Sequence, residues 1–359
     1  MIRYARCLVP LLIGVALALP AFADPAAPRE GSFTIRDFHF RSGETLPELR
    51  IHYLALGHPA RDAKGHTTNA VLILHGTGGT GRQFMAPQFA GVLFGPGAPL
   101  DTARMYVILP DGIGHGASSK PSDGLHMKFP RYDYDDMVEV QHRLVVEKLG
   151  VDHLRLVMGT SMGGMHSWVW GETFPGFMDA LMPLACQPVP IVGRNRLWRS
   201  MVRDAIESDP EWKGGEYAAE PRAGLRTALD LLMIAGSAPL LMQKTLATRD
   251  SVDRYLVSTT AARMAGLDAN DLIYQIEASR NYDPSPRLET ITDPLMFVNS
   301  ADDFINPPEL GIAEREITRV KHGRFVLIPA SVETHGHGTH TWAALWRQHL
   351  EELLAESAP

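Results

Sequence analysis

The sequence predicts an α/β fold, with a mostly parallel central sheet flanked by helices and a helical lid inserted into it. Three observations predict this. Short, nearly all-apolar runs that stop at a glycine, a proline or a polar turn recur along the chain, as strands buried on both faces of a parallel sheet require. Amphipathic helical stretches separate those runs, and strands alternating with helices define the α/β class. From about 187 to 290 the alternation lapses into a stretch rich in helix formers, methionine and arginine, and then it resumes.

Residues 33–56 read as two strands, FTIRDFHF and LRIHYLAL, with Gly43 between them. The buried runs follow as AVLILHG (70–76), MYVILPDG (105–112), LRLVMG (154–159), PLMFVNS (294–300) and RFVLIP (324–329). In DYDDMVEVQHRLVVEKLG, Met137, Val140 and Leu144 share a helix face, with Asp133 placed to cap its start and Gly150 its end. TWAALWRQHLEELL reads as the final helix, and SDPEWKGGEY as a turn within the helical stretch. Chains prefer short connections between adjacent elements, so the return of the strand pattern at DPLMFVNS favours an inserted lid over a separate helical domain. The expected organisation is an export signal over 1–23, a first core part over 24–186, a lid over 187–290 and a second core part over 291–359.

The export signal rests on Arg3 and Arg6, a 13-residue apolar stretch CLVPLLIGVALAL, and small residues in AFA ending at Ala23. A membrane anchor would need about 20 apolar residues. A periplasmic or secreted protein is therefore expected, with no membrane span after cleavage. Losing Arg3 and Arg6 moves the net charge from −7 to −9. An acidic chain with no basic run argues against nucleic acid as a partner. Cys7 leaves with the signal and Cys186 stands alone, so no internal disulfide is expected.

The chemistry centres on LRLVMGTSMGGMHSWVW. Gly159-x-Ser161-x-Gly163 is a weak pattern by itself, but here it follows a buried strand and opens a helix whose core face is Met162, Met165, Val169 and Trp170. A turn that tight leaves no room for side chains at 159 and 163, and it projects the serine hydroxyl from the end of the sheet. The amide of Met162, at the helix N-terminus, would point at a forming oxyanion. A second donor is expected in LILHGTGGTG, with the Thr77 amide first and that of Gly78 second. The loop lacks the Gly-Lys-Ser/Thr ending of a phosphate-binding P-loop. A base and an acid are on offer after the last two strands: His335, His337 and His340 in PASVETHGHGTH, and Asp302 and Asp303 in NSADDFINPP. The three histidines also have a metal-ligand look, but no partner carboxylate or histidine set accompanies them, so no metal and no cofactor is expected.

With these residues placed, the chain resembles the α/β-hydrolase superfamily, and PDGIGHGASS (110–119) adds a turn typical of it. Within the superfamily it is most similar to the homoserine O-acetyltransferase branch, through FGPGAPLDTARMYVILPDGIG, GTSMGGMHSWVW, AIESDPEWKGGEY, PRAGL and DANDLIYQIEASRNYD. The resemblance implies the α/β-hydrolase fold, Ser161 as nucleophile, and a helical lid over a tunnel to it. It also selects Asp303, which precedes Pro307 by four residues, as the acid, and His337, which follows a glycine, as the base. Two features depart from the branch. The transferases commonly carry an aspartate directly after the catalytic histidine, where this chain has Gly338, and their cysteine- and serine-rich turn is replaced by GIGHGASSKPSD.

The expected activity is cleavage of carboxyl esters or thioesters in a small acyl substrate through an acyl-enzyme. The alternatives are an acyl-CoA-dependent O-acyltransferase and, further off, a non-catalytic binding module. Arginines of the lid, Arg194, Arg196, Arg199 and Arg280, are either solvated or face a substrate carboxylate, and Arg194 and Arg199 are the two singled out for that contact. Lid-bearing relatives are often dimers, so a homodimer is a further expectation.

Overall fold

The computed structural model describes residues 27–358, and the export signal expected over 1–23 lies outside them. The strands β1 (Arg29–His39), β2 (Thr45–Leu56), β3 (Ala70–Leu74), β4 (Tyr106–Pro110), β5 (Leu156–Thr160), β6 (Leu181–Leu184), β7 (Leu295–Ser300) and β8 (Gly323–Ile328) form one sheet. Its spatial order is β1-β2-β4-β3-β5-β6-β7-β8. The β1–β2 and β2–β4 pairs are antiparallel, and every pair from β4–β3 to β7–β8 is parallel.

Parallel strands need helical crossovers, and the helices cover both faces. They are α1 (Pro87–Leu93), α2 (Tyr134–Arg143), α3 (Met162–Thr173), five lid helices described below as α4 to α8, α9 (Ile312–Ile317) and α10 (Arg347–Glu356). Alternate residues of β3 show the two-sided core. Leu72 and Leu74 face Met137, Met165 and Trp168 of α2 and α3, while Val71 and Ile73 join Phe89 and Leu93 of α1 and Leu350 and Leu353 of α10. Both faces are dry, which is why these strands carry no polar alternation. Asp133 caps α2 by accepting from the Asp136 amide at 3.1 Å, and the Asp136 carboxylate returns the contact to the Asp133 amide at 3.0 Å.

The lid fills the connection between β6 and β7. It comprises α4 (Gly193–Glu207), α5 (Arg222–Ala235), α6 (Pro239–Thr245), α7 (Arg249–Met264) and α8 (Ala269–Glu277). Val202 and Ile206 of α4, Leu225 and Ala228 of α5, and Leu272 and Ile276 of α8 give it a core of its own. Helix α8 pins it to the sheet domain. Asp271 accepts from the Ser122 amide at 2.9 Å and hydroxyl at 2.7 Å, and Gln275 Nε2 donates to Gly114 O at 2.8 Å. Among the described residues no single helix is long and apolar enough to cross a membrane, and α5 and α6 meet at a 104° bend.

Candidate active site

Strand β5 ends at Thr160, and Ser161 carries the turn into α3 with φ 55° and ψ −113°. Such a conformation is strained for a residue with a side chain and persists only where the surroundings impose it. Here the Ser161 amide is tied to Leu184 O at 2.9 Å, and the backbone packs so closely that a Cβ at Gly159 would strike Gly163 O and one at Gly163 would strike Leu74 O. Glycine at both positions is a steric requirement of this turn.

The structure brings three of the singled-out side chains together. His337 Nε2 lies 2.8 Å from Ser161 Oγ. On the other side of the ring, His337 Nδ1 lies 3.0 Å from Asp303 Oδ2 and 3.1 Å from Oδ1. The Nδ1 proton therefore faces the carboxylate, leaving the Nε2 lone pair to accept from the serine hydroxyl. Burial raises the pKa of Asp303, but the adjacent His337 and the hydrogen bonds from Asn306 outweigh it and hold the carboxyl below its ordinary value. Asp303 is thus an acceptor-only anion at neutral pH, as an orienter of imidazole must be.

Sequence reasoning did not assign the groups that fix this geometry. Asn306 donates its amide to Asp303 Oδ1 and its Nδ2 to Oδ2, both at 3.1 Å, and the Ile305 amide adds a bond to Oδ1 at 2.8 Å. Asp302, the other aspartate on offer, turns away from the imidazole. Its Oδ2 accepts from Thr334 Oγ1 at 2.7 Å and from the Gly336 amide at 3.2 Å, and its Oδ1 meets Ser300 Oγ. Gly336 itself has φ 58°, and a Cβ there would run into Ser237 O at the joint between α5 and α6. The lid thereby sits directly on the loop that presents His337.

The other two histidines take different partners. His335 stacks on Trp342 with centroids 3.8 Å apart and planes within 6°, and His340 stands edge-on to His337 at 5.2 Å. Among the described residues no group of three or more His, Cys, Asp or Glu side chains could hold a metal ion.

The loop after β3 comes up beside the serine, since a Cβ on Gly76 would lie 3.3 Å from Ser161 Cβ. Thr77 is the next residue, and Met162 opens α3, where the first amides have no intrahelical acceptor. His75, also unassigned from sequence, holds the base of this loop. Its Nδ1 donates to Gly76 O at 2.8 Å, and its Nε2 accepts from the Gly112 amide at 2.8 Å. Burial lowers its pKa and keeps the ring neutral.

Of the lid arginines, Arg194 is exposed, 3.9 Å above the Phe304 ring. It borders a cavity of about 490 Å³ whose wall includes Met165, Ile191, Ile305 and Asn306. Arg196 pairs with Glu277 at 3.0 Å. Arg199 is 2% exposed, so it is neither solvated nor at the surface.

A nucleophile turn, a base, an acid and a glycine-rich loop at the C-terminal edge of one parallel sheet define a serine-hydrolase-like α/β protein. Residues 69–331 match the family described as alpha/beta hydrolase fold, and the chain belongs to that family. A homoserine O-acetyltransferase of Pelobacter propionicus is 31% identical over 319 residues, covering 78% of this chain and 84% of the relative. That relationship puts the chain in the homoserine O-acetyltransferase-like branch. Among solved structures, the acetyl esterase MekB superposes with a TM-score of 0.80 at 23% identity, covering 91% of this chain and 97% of the other. The homoserine O-acetyltransferase of Bacillus anthracis superposes with a TM-score of 0.78 at 21% identity and the same coverage. The protein is an enzyme of the ester-acting hydrolase or acyltransferase kind.

Proposed function

We propose that the protein is an exported serine hydrolase that cleaves carboxyl esters or thioesters through an acyl-enzyme. The observation that carries this reading is the 2.8 Å contact between Ser161 Oγ and His337 Nε2, with Asp303 on the far side of the ring. Ser161 attacks the acyl carbonyl as His337 takes its proton, and the tetrahedral oxyanion is met by the amides of Thr77 and Met162. His337 then protonates the leaving alcohol or thiol. In the second half-reaction His337 activates water, which releases the acid and regenerates the serine.

The acetyltransferase reading shares every step up to the acyl-enzyme and differs in the acceptor. The 31% identical relative favours it. Two features of the sequence favour water. Gly338 stands where the transferases commonly carry an aspartate, and the export signal read over 1–23 would remove the chain from cytosolic acetyl-CoA to the periplasm or the medium. The test is to incubate the mature protein with p-nitrophenyl acetate and, separately, with acetyl-CoA plus homoserine. Ester cleavage without an added acceptor is expected, together with fluorophosphonate labelling that Ser161→Ala abolishes. Homoserine-dependent CoA release well above ester cleavage would overturn the hydrolase reading.

A further inference from the structure

Glu172 is a buried carboxylate without a partner. It sits on the last turn of α3, about 16 Å along the helix from Ser161, and it is 7% exposed. Its Oε2 is enclosed without a hydrogen bond, and no cationic side chain pairs with the carboxylate among the described residues. The two guanidiniums nearby are committed elsewhere. Arg287 Nη2 donates to the backbone carbonyl of Glu172 at 2.7 Å, and Arg41 pairs with Asp135. Burial outweighs both arginines and raises the pKa of Glu172 to about 7. An ionised carboxylate held out of water alone carries a heavy desolvation cost, which a bound cation offsets.

There is room beside it for one. Glu172 lines a cavity of about 380 Å³ and, next to it, a narrower space of about 50 Å³. The larger cavity falls in the size range of small-molecule sites. The surroundings are negative. Asp133, Asp135 and Glu139 of the α2 region and Asp283 after α8 line the two spaces, against only Arg41 and Arg287. These acids are not grouped as a metal ion requires. The rest of the larger wall includes Val138, Val169 and Phe174, which give an inorganic cation nothing and an alkyl stem a dry surface.

We propose that this cavity binds an organic ammonium ion, a primary amine on a short aliphatic stem. The ammonium donates to Glu172, and the stem packs on Val138, Val169 and Phe174. The site lies at the far end of the nucleophile helix from Ser161, and it stands whether the acyl acceptor is water or an alcohol.

The test is calorimetric titration of the mature protein at pH 8 with n-butylammonium chloride, against potassium chloride at the same ionic strength and against n-butanol. Saturable binding of one n-butylammonium per chain is expected, with none for potassium or n-butanol. Glu172→Gln keeps the shape of the side chain and removes its charge, and it is expected to weaken binding at least tenfold. Glu48→Gln removes the same charge from an exposed position on β2 and is expected to leave binding unchanged. Glu172→Leu should behave as Glu172→Gln does, and thermal unfolding without ligand verifies that the variants are folded. Absence of saturable n-butylammonium binding, an equal response to potassium, or wild-type affinity in the Glu172 variants would overturn the proposal. Equal weakening in Glu48→Gln would also overturn it, by showing that the amine responds only to the net charge of the chain.

Discussion

Asn306 holds both oxygens of Asp303, the backbone amide on Oδ1 and the side-chain amide on Oδ2, each at 3.1 Å. The carboxylate is thereby fixed in the plane that meets His337. Asn306→Ala keeps the backbone bond and loses the other, at about 1.5–3 kcal/mol for a hydrogen bond to a charged group. Ester-cleavage kcat should fall about 10- to 100-fold. Asn306→Asp should fall further, because a second carboxylate there raises the pKa of Asp303. Steady-state kinetics on p-nitrophenyl acetate measure both.

Asp302 contributes by holding the loop that carries the imidazole, through Thr334 and the Gly336 amide. Asp302→Ala is expected to lower kcat about tenfold with little change in KM, the signature of a misplaced reacting group. A variant as active as the wild type would show that the loop holds its shape without this carboxylate.

Two glycine substitutions should act in opposite directions. Gly163→Ala forces a methyl into Leu74 O, while Gly91 on α1 has open space around its Cβ position. The first is expected to cost about 1–3 kcal/mol, and the second to gain about 0.5–1 kcal/mol from helix propensity. Chemical denaturation of the two variants provides the comparison.

The lid anchor should be sensitive to pH. Burial is the largest influence on Asp271 and raises its pKa from 3.8 to about 6, with the Ser122 hydrogen bonds pulling the other way. The folded state thus favours the protonated acid. Its contribution to stability is complete below pH 3.8 and is lost as pH rises through about 6. The full span is about 3 kcal/mol. Asp136 and Glu172 are raised in the same direction by burial, so the informative quantity is a difference. Asp271→Asn should show a flatter stability profile than the wild type between pH 4 and pH 6.5, and parallel profiles would contradict the assignment.

Much of the sheet was legible because strands dry on both faces leave continuous apolar runs, as β3, β4, β5 and β7 do, while β8, half-buried at the sheet edge, was marked by its apolar run alone. Strand β6 was missed. Leu181–Leu184 is four residues long and contains Pro183, so no run or period marks it. The serine turn was legible from its glycines, since steric exclusion leaves a compositional trace. The choice between Asp302 and Asp303 needed family resemblance, because both follow the same strand and differ only in which way each carboxylate points. The clamp by Asn306 and the His75 brace left no local signature. Asn306 lies only three residues from Asp303, but NSADDFINPP does not say which way either side chain points, and the Gly112 amide that meets His75 is 37 residues away.

The collision awaiting any side chain at Gly336 has a practical meaning for anyone rebuilding this enzyme. The cap and the histidine loop meet backbone to backbone where Ser237 lies against Gly336. Exchanging the cap for that of a relative would move the imidazole unless the donor's bend has the same shape there. Chimeras cut at the obvious chain boundaries should therefore keep 236–238 and 336 from one parent.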